Sequence, residues 1–108
     1  MSNFDFETGR RYLGEGDVVE AIRCFLASLD VDRSHVPTYV ELFKAYEAAW
    51  RDSGDPEVLD QMRKVAIAGL KRGPTEEQRR FLDEGLDRVE EQIIHIHSHT
   101  PHSLDEES

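Results

Sequence analysis

The chain has 108 residues, with 13 basic and 23 acidic side chains and a net charge of −10, and it reads as one acidic domain with a single modest core. That balance repels nucleic-acid backbones and anionic lipid, so neither is an expected partner, and no apolar run approaches the ~20 residues that span a membrane. The one cysteine, Cys24, excludes an intrachain disulfide. With an N-terminal stretch, MSNFDFETGRR, that has neither a basic leader nor an apolar core, it points to a cytoplasmic address.

In chain order, a first helix is expected over Phe4–Leu13, with Phe4, Thr8 and Tyr12 on one stripe. Gly9 lies inside it at a cost of about 1 kcal/mol relative to alanine, which a close helix contact would offset. Gly14-Glu15-Gly16 make a tight turn, and Asp17 caps a second helix with Glu20 at the capping-box position. Val18, Ala21, Ile22, Phe25 and Leu29 then share one face as far as about Val31. Two helices joined this briefly lie antiparallel. After a loop, Pro37 suits the first turn of a third helix, whose broad apolar face runs from Val36, Tyr39 and Val40 through Phe43 and Tyr46 to Ala49 and Trp50.

Ser53-Gly54 breaks that helix and Asp55-Pro56 starts another, with Val58, Leu59, Met62, Val65, Ala66, Gly69 and Leu70 inward. Lys71-Arg72 and Gly73 close it. Thr75 and Gln78 form a capping box for a fifth helix. Its stripe is Phe81 or Leu82, then Leu86, Val89, Ile93 and Ile96, and acidic residues dominate elsewhere, as suits an end cap. Alternation of the strand kind persists nowhere, so the expected class is all-α.

Chemistry-bearing clusters are few. Cys24 has no histidine near it in sequence, and carboxylate pairs arise by chance among 23 acids. The glycine turn at 14–16 is followed by Asp17 and Glu20, which repel phosphate. No catalytic residue and no cofactor is expected. The sharpest cluster is His95, His97, His99 and His102. Histidines two apart share a face only on extended backbone. Pro101 biases Thr100 away from helix, so this segment would be free to wrap zinc, nickel or copper. The plainer expectation is a frayed helix end and a disordered polar tail over 98–108, with adventitious metal affinity at most. His35 reads as a lone loop histidine.

Gly16-Asp17 and Gly54-Asp55 stand 38 residues apart and align the chain with itself. Gly9, Tyr12, Gly16, Ala21, Phe25 and Ser28 fall where the tetratricopeptide repeat places its glycine, aromatic, turn glycine, alanine, aromatic and small residue, and the chain resembles that family. In the second unit Tyr46, Trp50, Gly54 and Ala66 fit, whereas Glu47, Leu59 and Arg63 replace the usual glycine, alanine and aromatic. The offset exceeds that family's period of about 34, which places extra residues around Arg33–Pro37.

The resemblance implies a right-handed stack of two antiparallel hairpins plus a C-terminal capping helix, over residues 3–97. It also implies a groove lined by Asn3, Phe6, Arg10 and Leu13 from the first helix and Glu41, Lys44, Ala48 and Arg51 from the third. The expected role is a non-enzymatic adaptor or scaffold that binds a protein or short peptide, including one bearing acidic groups, with Arg10, Lys44 and Arg51 as anchors. The competing reading of these charges is solvated pairing along helices, as for Glu47 and Arg51. Alternative roles are a self-associating homodimer, a metal-binding protein through the C-terminal histidines, and an enzyme using such a metal beside a carboxylate.

Overall fold

Residues 4–98 are described by the structure, a computed structural model. They form five helices: α1 (Phe4–Gly14), α2 (Val18–Val31), α3 (Val36–Ser53), α4 (Pro56–Leu70) and α5 (Glu76–Ser98). Each helix packs chiefly on the next, and α3 also touches α1 and α5. The described residues are an all-α bundle of five helices with mostly sequential helix–helix packing.

Local chemistry explains where the helices begin and end. The Glu20 N–H donates to Asp17 Oδ1 (3.4 Å), but the return half of the box is not made. The Asp17 N–H already donates to the Tyr12 carbonyl at 2.9 Å, and the Glu20 carboxylate turns to Arg23 (3.7 Å). Asp55 caps α4 by accepting from the Glu57 N–H at 3.0 Å. At α5 both halves form: Gln78 N–H to Thr75 Oγ1 (3.1 Å) and Thr75 N–H to Gln78 Oε1 (2.9 Å). Gly16 and Gly54 both take positive φ, +85° and +66°, so the two aligned turns share the left-handed geometry that glycine adopts without strain.

Three boundaries shift from expectation. The first helix includes Gly14, α4 stops at Leu70 before Lys71-Arg72, and α5 runs to Ser98, past the boundary expected between 97 and 98.

Core faces shift too. Phe6 enters the core, 8% exposed, where Thr8 was expected on the inner stripe. On α3, Thr38, Leu42 and Ala45 are fully buried while Trp50 is half-buried. The reason is position: α3 has neighbours on several sides, so its buried surface is wider than one stripe. At the end of α5's inner face Leu82 is fully buried and Phe81 packs beside it.

Glycines mark the closest helix crossings. A methyl on Gly9 would lie 2.6 Å from Phe25 Cε1, and one on Gly85 would lie 2.6 Å from Phe43 Cζ. At Gly69 it would meet Tyr39 Cβ and Leu82 Cδ1, each at 2.9 Å.

A polar seam joins the end of α2 to the start of α3. Ser28 Oγ and Thr38 Oγ1, both fully buried, lie 3.2 Å apart, and His35 Nδ1 is 2.7 Å from Thr38 Oγ1. His35 also meets the Phe6 ring edge-on, with centroids 4.8 Å apart. It is thus a packed N-cap residue of α3 and more than a loop histidine. The Tyr39 hydroxyl donates to the Arg33 carbonyl at 2.7 Å, which satisfies a buried ring's polar end.

These contacts predict opposite responses at two glycines of α1. Gly9→Ala should lower stability by about 1–2 kcal/mol, because overpacking against Phe25 outweighs the gain in helix propensity. Gly14→Ala, with nothing within 4 Å, should be neutral or raise stability by a few tenths of a kcal/mol. Urea denaturation at constant slope measures both. An unchanged or higher midpoint for Gly9→Ala would refute the close contact.

Candidate binding face

Along α3 and α5 a row of charges crosses between helices. Lys44 Nζ is 3.4 Å from Glu41 Oε2 one turn before it and 5.6 Å from the centroid of the Phe81 ring on α5. One turn further, Glu47 Oε2 receives two guanidinium groups: Arg51 Nη2 at 3.7 Å along the same helix and Arg88 Nη2 at 3.5 Å across from α5. Glu47 is mostly covered, whereas Arg51 is 72% exposed and Arg88 53% exposed. Exposed pairs at such distances contribute at most about 1 kcal/mol, so neither arginine is held tightly.

Beside this row lies a half-open depression of about 210 Å³ where α3, α4 and α5 meet. Phe43, Trp50, Leu59, Met62 and Val89 supply its apolar lining, and Glu47, Arg51, Arg88 and Gln92 supply its polar groups. Gly85 lines it as well, at the crossing that lets α5 approach the Phe43 ring.

The residues expected to form the groove are distributed unevenly. Glu41, Lys44 and Arg51 lie on this row. Arg10 lies on α1, 3.8 Å from Glu7 and 5.7 Å from the Phe6 ring centroid. Leu13 packs partly against the core. Phe6 does not face an open groove: its ring is held among Phe25 (6.1 Å) and His35 (4.8 Å), which occupy the surface expected to meet a partner. Asn3 lies outside the described residues.

Arg88 and Gln92 escaped the sequence reading, because Arg88 stands 41 residues from Glu47 and no local spacing joins them. One signal was available. A further step of 38 residues from Gly9 through Glu47 lands on Gly85, one turn before Arg88.

His95 and His97 both lie within α5, so an extended backbone cannot bring those two onto one face. His99 and His102 lie outside the described residues. Among the described residues no group of three or more His, Cys, Asp or Glu side chains is placed to hold a metal ion, and no helix is long and apolar enough to cross a membrane.

The Cys24 thiol is pushed above its ordinary value by burial first and by Asp5 and Glu20 next, against smaller lowering from Arg11 and Arg23. A raised thiol is a poor nucleophile at neutral pH. Cys24 should therefore react with iodoacetamide more slowly than free cysteine at neutral pH, and the reaction should quicken as pH rises. Mass spectrometry of timed samples measures it, and a rate above that of free cysteine would show an activated thiol.

Comparison with known protein families, with curated proteins and with solved structures found no match for this chain.

Proposed function

We propose that this protein is a non-catalytic binding module of the cytoplasm, an adaptor or scaffold. It holds a short acidic peptide or one acidic surface of a partner protein on the α1–α3–α5 side of a right-handed, tetratricopeptide-like stack. The observation that carries this reading is the pair of exposed guanidinium groups, Arg51 and Arg88, sharing the single carboxylate of Glu47 beside a half-open depression. Both guanidinium groups share one carboxylate oxygen in a chain of net charge −10. An incoming carboxylate gains charge-assisted bonds there that bulk water and the weak existing pairs do not match. A raised Cys24 thiol suits this non-catalytic reading.

The test is selection from a random peptide display library on the wild-type protein, with counter-selection on the triple variant Arg10→Glu, Lys44→Glu, Arg51→Glu. These residues are largely solvated, so the variant should keep its far-ultraviolet circular dichroism. Enrichment of Asp- and Glu-bearing peptides that bind the variant at least about tenfold more weakly is expected. Equal retention by the variant, or no enrichment, would reject the reading.

A second reading, self-association, is favoured by one specific observation. Ile94 on α5 is 67% exposed and lies with Ile93 along a shallow groove of about 370 Å³ bordered by Asp60, Arg63 and Glu90. Light scattering over a range of concentrations separates the two. A dimer mass that Ile94→Glu returns to a monomer supports self-association, and a monomer mass throughout removes it.

A further inference from the structure

We propose that the trough along the α4–α5 edge at Ile93 and Ile94 docks one basic amphipathic helix of a partner protein, its apolar stripe on the isoleucines and its lysines or arginines on Asp87 and Glu91. This face is separate from the peptide-binding row above. Arg88 turns to Glu47 on the α3 side of α5, whereas the trough opens on the α4 side.

Helical periodicity puts Ile94 on the face of α5 that points away from the core. Leu82 and Val89 turn inward and are buried, while Asp83, Asp87, Glu90 and Glu91 share the Ile94 face and are all exposed. Ile94 is itself 67% exposed. Ile93 beside it leans toward α4 and lines two depressions. One, of about 370 Å³, also takes in Ile94, Asp60, Arg63 and Glu90. The other, of about 200 Å³, takes in Pro56, Leu59, Asp60 and Ile96. Because both include Ile93 and Asp60, they run together as one trough between two helices. A trough of this form receives the side-chain ridge of a third helix, with anchors at i, i+3, i+4 and i+7.

Charge selects the occupant. Asp60, Asp87, Glu90 and Glu91 stand around the trough against Arg63 and Lys64. Both bases are already engaged, Arg63 with Glu90 at 3.7 Å and Lys64 with Asp60 at 3.2 Å. No ion pair among the described residues reaches Asp87 or Glu91. Arg79 and Arg80, at the start of α5, lie about 20 Å along the axis from Ile94, well beyond the screening length. A second copy of the chain would bring the same acidic rim, and the chain's own last residues, Leu104-Asp105-Glu106-Glu107-Ser108, are acidic too. Neither complements the trough. A helix with lysines or arginines beside its apolar stripe covers the isoleucines and makes charge-assisted bonds with the carboxylates left over.

The probe is a blocked peptide with leucines at i, i+3, i+4 and i+7 and lysines flanking that stripe, titrated calorimetrically into the full chain. Saturable one-to-one binding is expected, with a gain of helix by circular dichroism. Ile94→Ser should weaken it about tenfold. Asp87→Asn combined with Glu91→Gln should also weaken it about tenfold and flatten its salt dependence. Val19→Ser on α2, at a position equally exposed at 67%, should leave affinity unchanged. A peptide of the same composition with its leucines scattered around the helix should bind at least about tenfold more weakly.

All the substituted residues are exposed, so the variants should fold, and unchanged circular dichroism and urea midpoints verify this. No saturable binding, equal affinity for the scattered peptide, or full affinity in either the Ile94 or the carboxylate variant would overturn the proposal. So would equal damage from Val19→Ser. A dimer by light scattering that Ile94→Ser returns to a monomer would give the trough to a second copy and overturn it as well.

Discussion

The approach of Gly9 to the Phe25 ring fixes the distance between α1 and α2, and the same device recurs where Gly69 meets Tyr39 and Gly85 meets Phe43. Each glycine removes a side chain at the crossing so that a ring of the neighbouring helix can lie nearly on the backbone. The consequence is dense packing from short helices, which a chain of this size needs because its buried fraction is modest. It also sets the order of the stack. Gly69 on α4 touches residues of both α3 and α5, so the last hairpin contact and the seating of the final helix are settled at one point. Leu82 and Val89 are buried there, and α5 closes the open side of the core.

Electrostatics plays a different part. Most ion pairs among the described residues join positions three or four apart on one helix, where they support helix formation by a few tenths of a kcal/mol. The pairs that cross between helices, Arg63–Glu90 and Arg88–Glu47, both involve α5. The final helix is thus the most acidic element and also the one tied sideways by charge. Being exposed, those ties contribute little to stability. They orient the arginines more than they hold the fold.

How much of this was legible depended on the range of the signal. Caps, turn glycines and helix-starting prolines are local, and Asp17, Gly54, Asp55-Pro56 and Thr75–Gln78 placed all five helices within a few residues. The inner face of α1 was less so, since 11 residues support two stripes: Phe4–Thr8–Tyr12 and Phe6–Gly9–Leu13. Gly9 itself is the tie-breaker, because a glycine inside a helix marks the side on which another element comes close. Contacts between distant positions left almost no trace. Phe6 meets His35, and Glu47 meets Arg88, only because the hairpins fold back on one another. Three of the eight expected groove residues, Glu41, Lys44 and Arg51, fall on the charged row. Their partner Arg88 was hidden by sequence distance.

The two hairpins differ at aligned positions, where packing in the first gives way to charge in the second. Where Gly9 serves close packing, Glu47 places a carboxylate among cations. Where Phe25 fills the core, Arg63 leaves it for Glu90. Leu59 is buried at the position of Ala21, and Gly85 keeps α5 close to Phe43. The second hairpin thus keeps its helix crossings, at Gly69 and Gly85, while it carries charge at the two positions where the first carries a glycine and a ring.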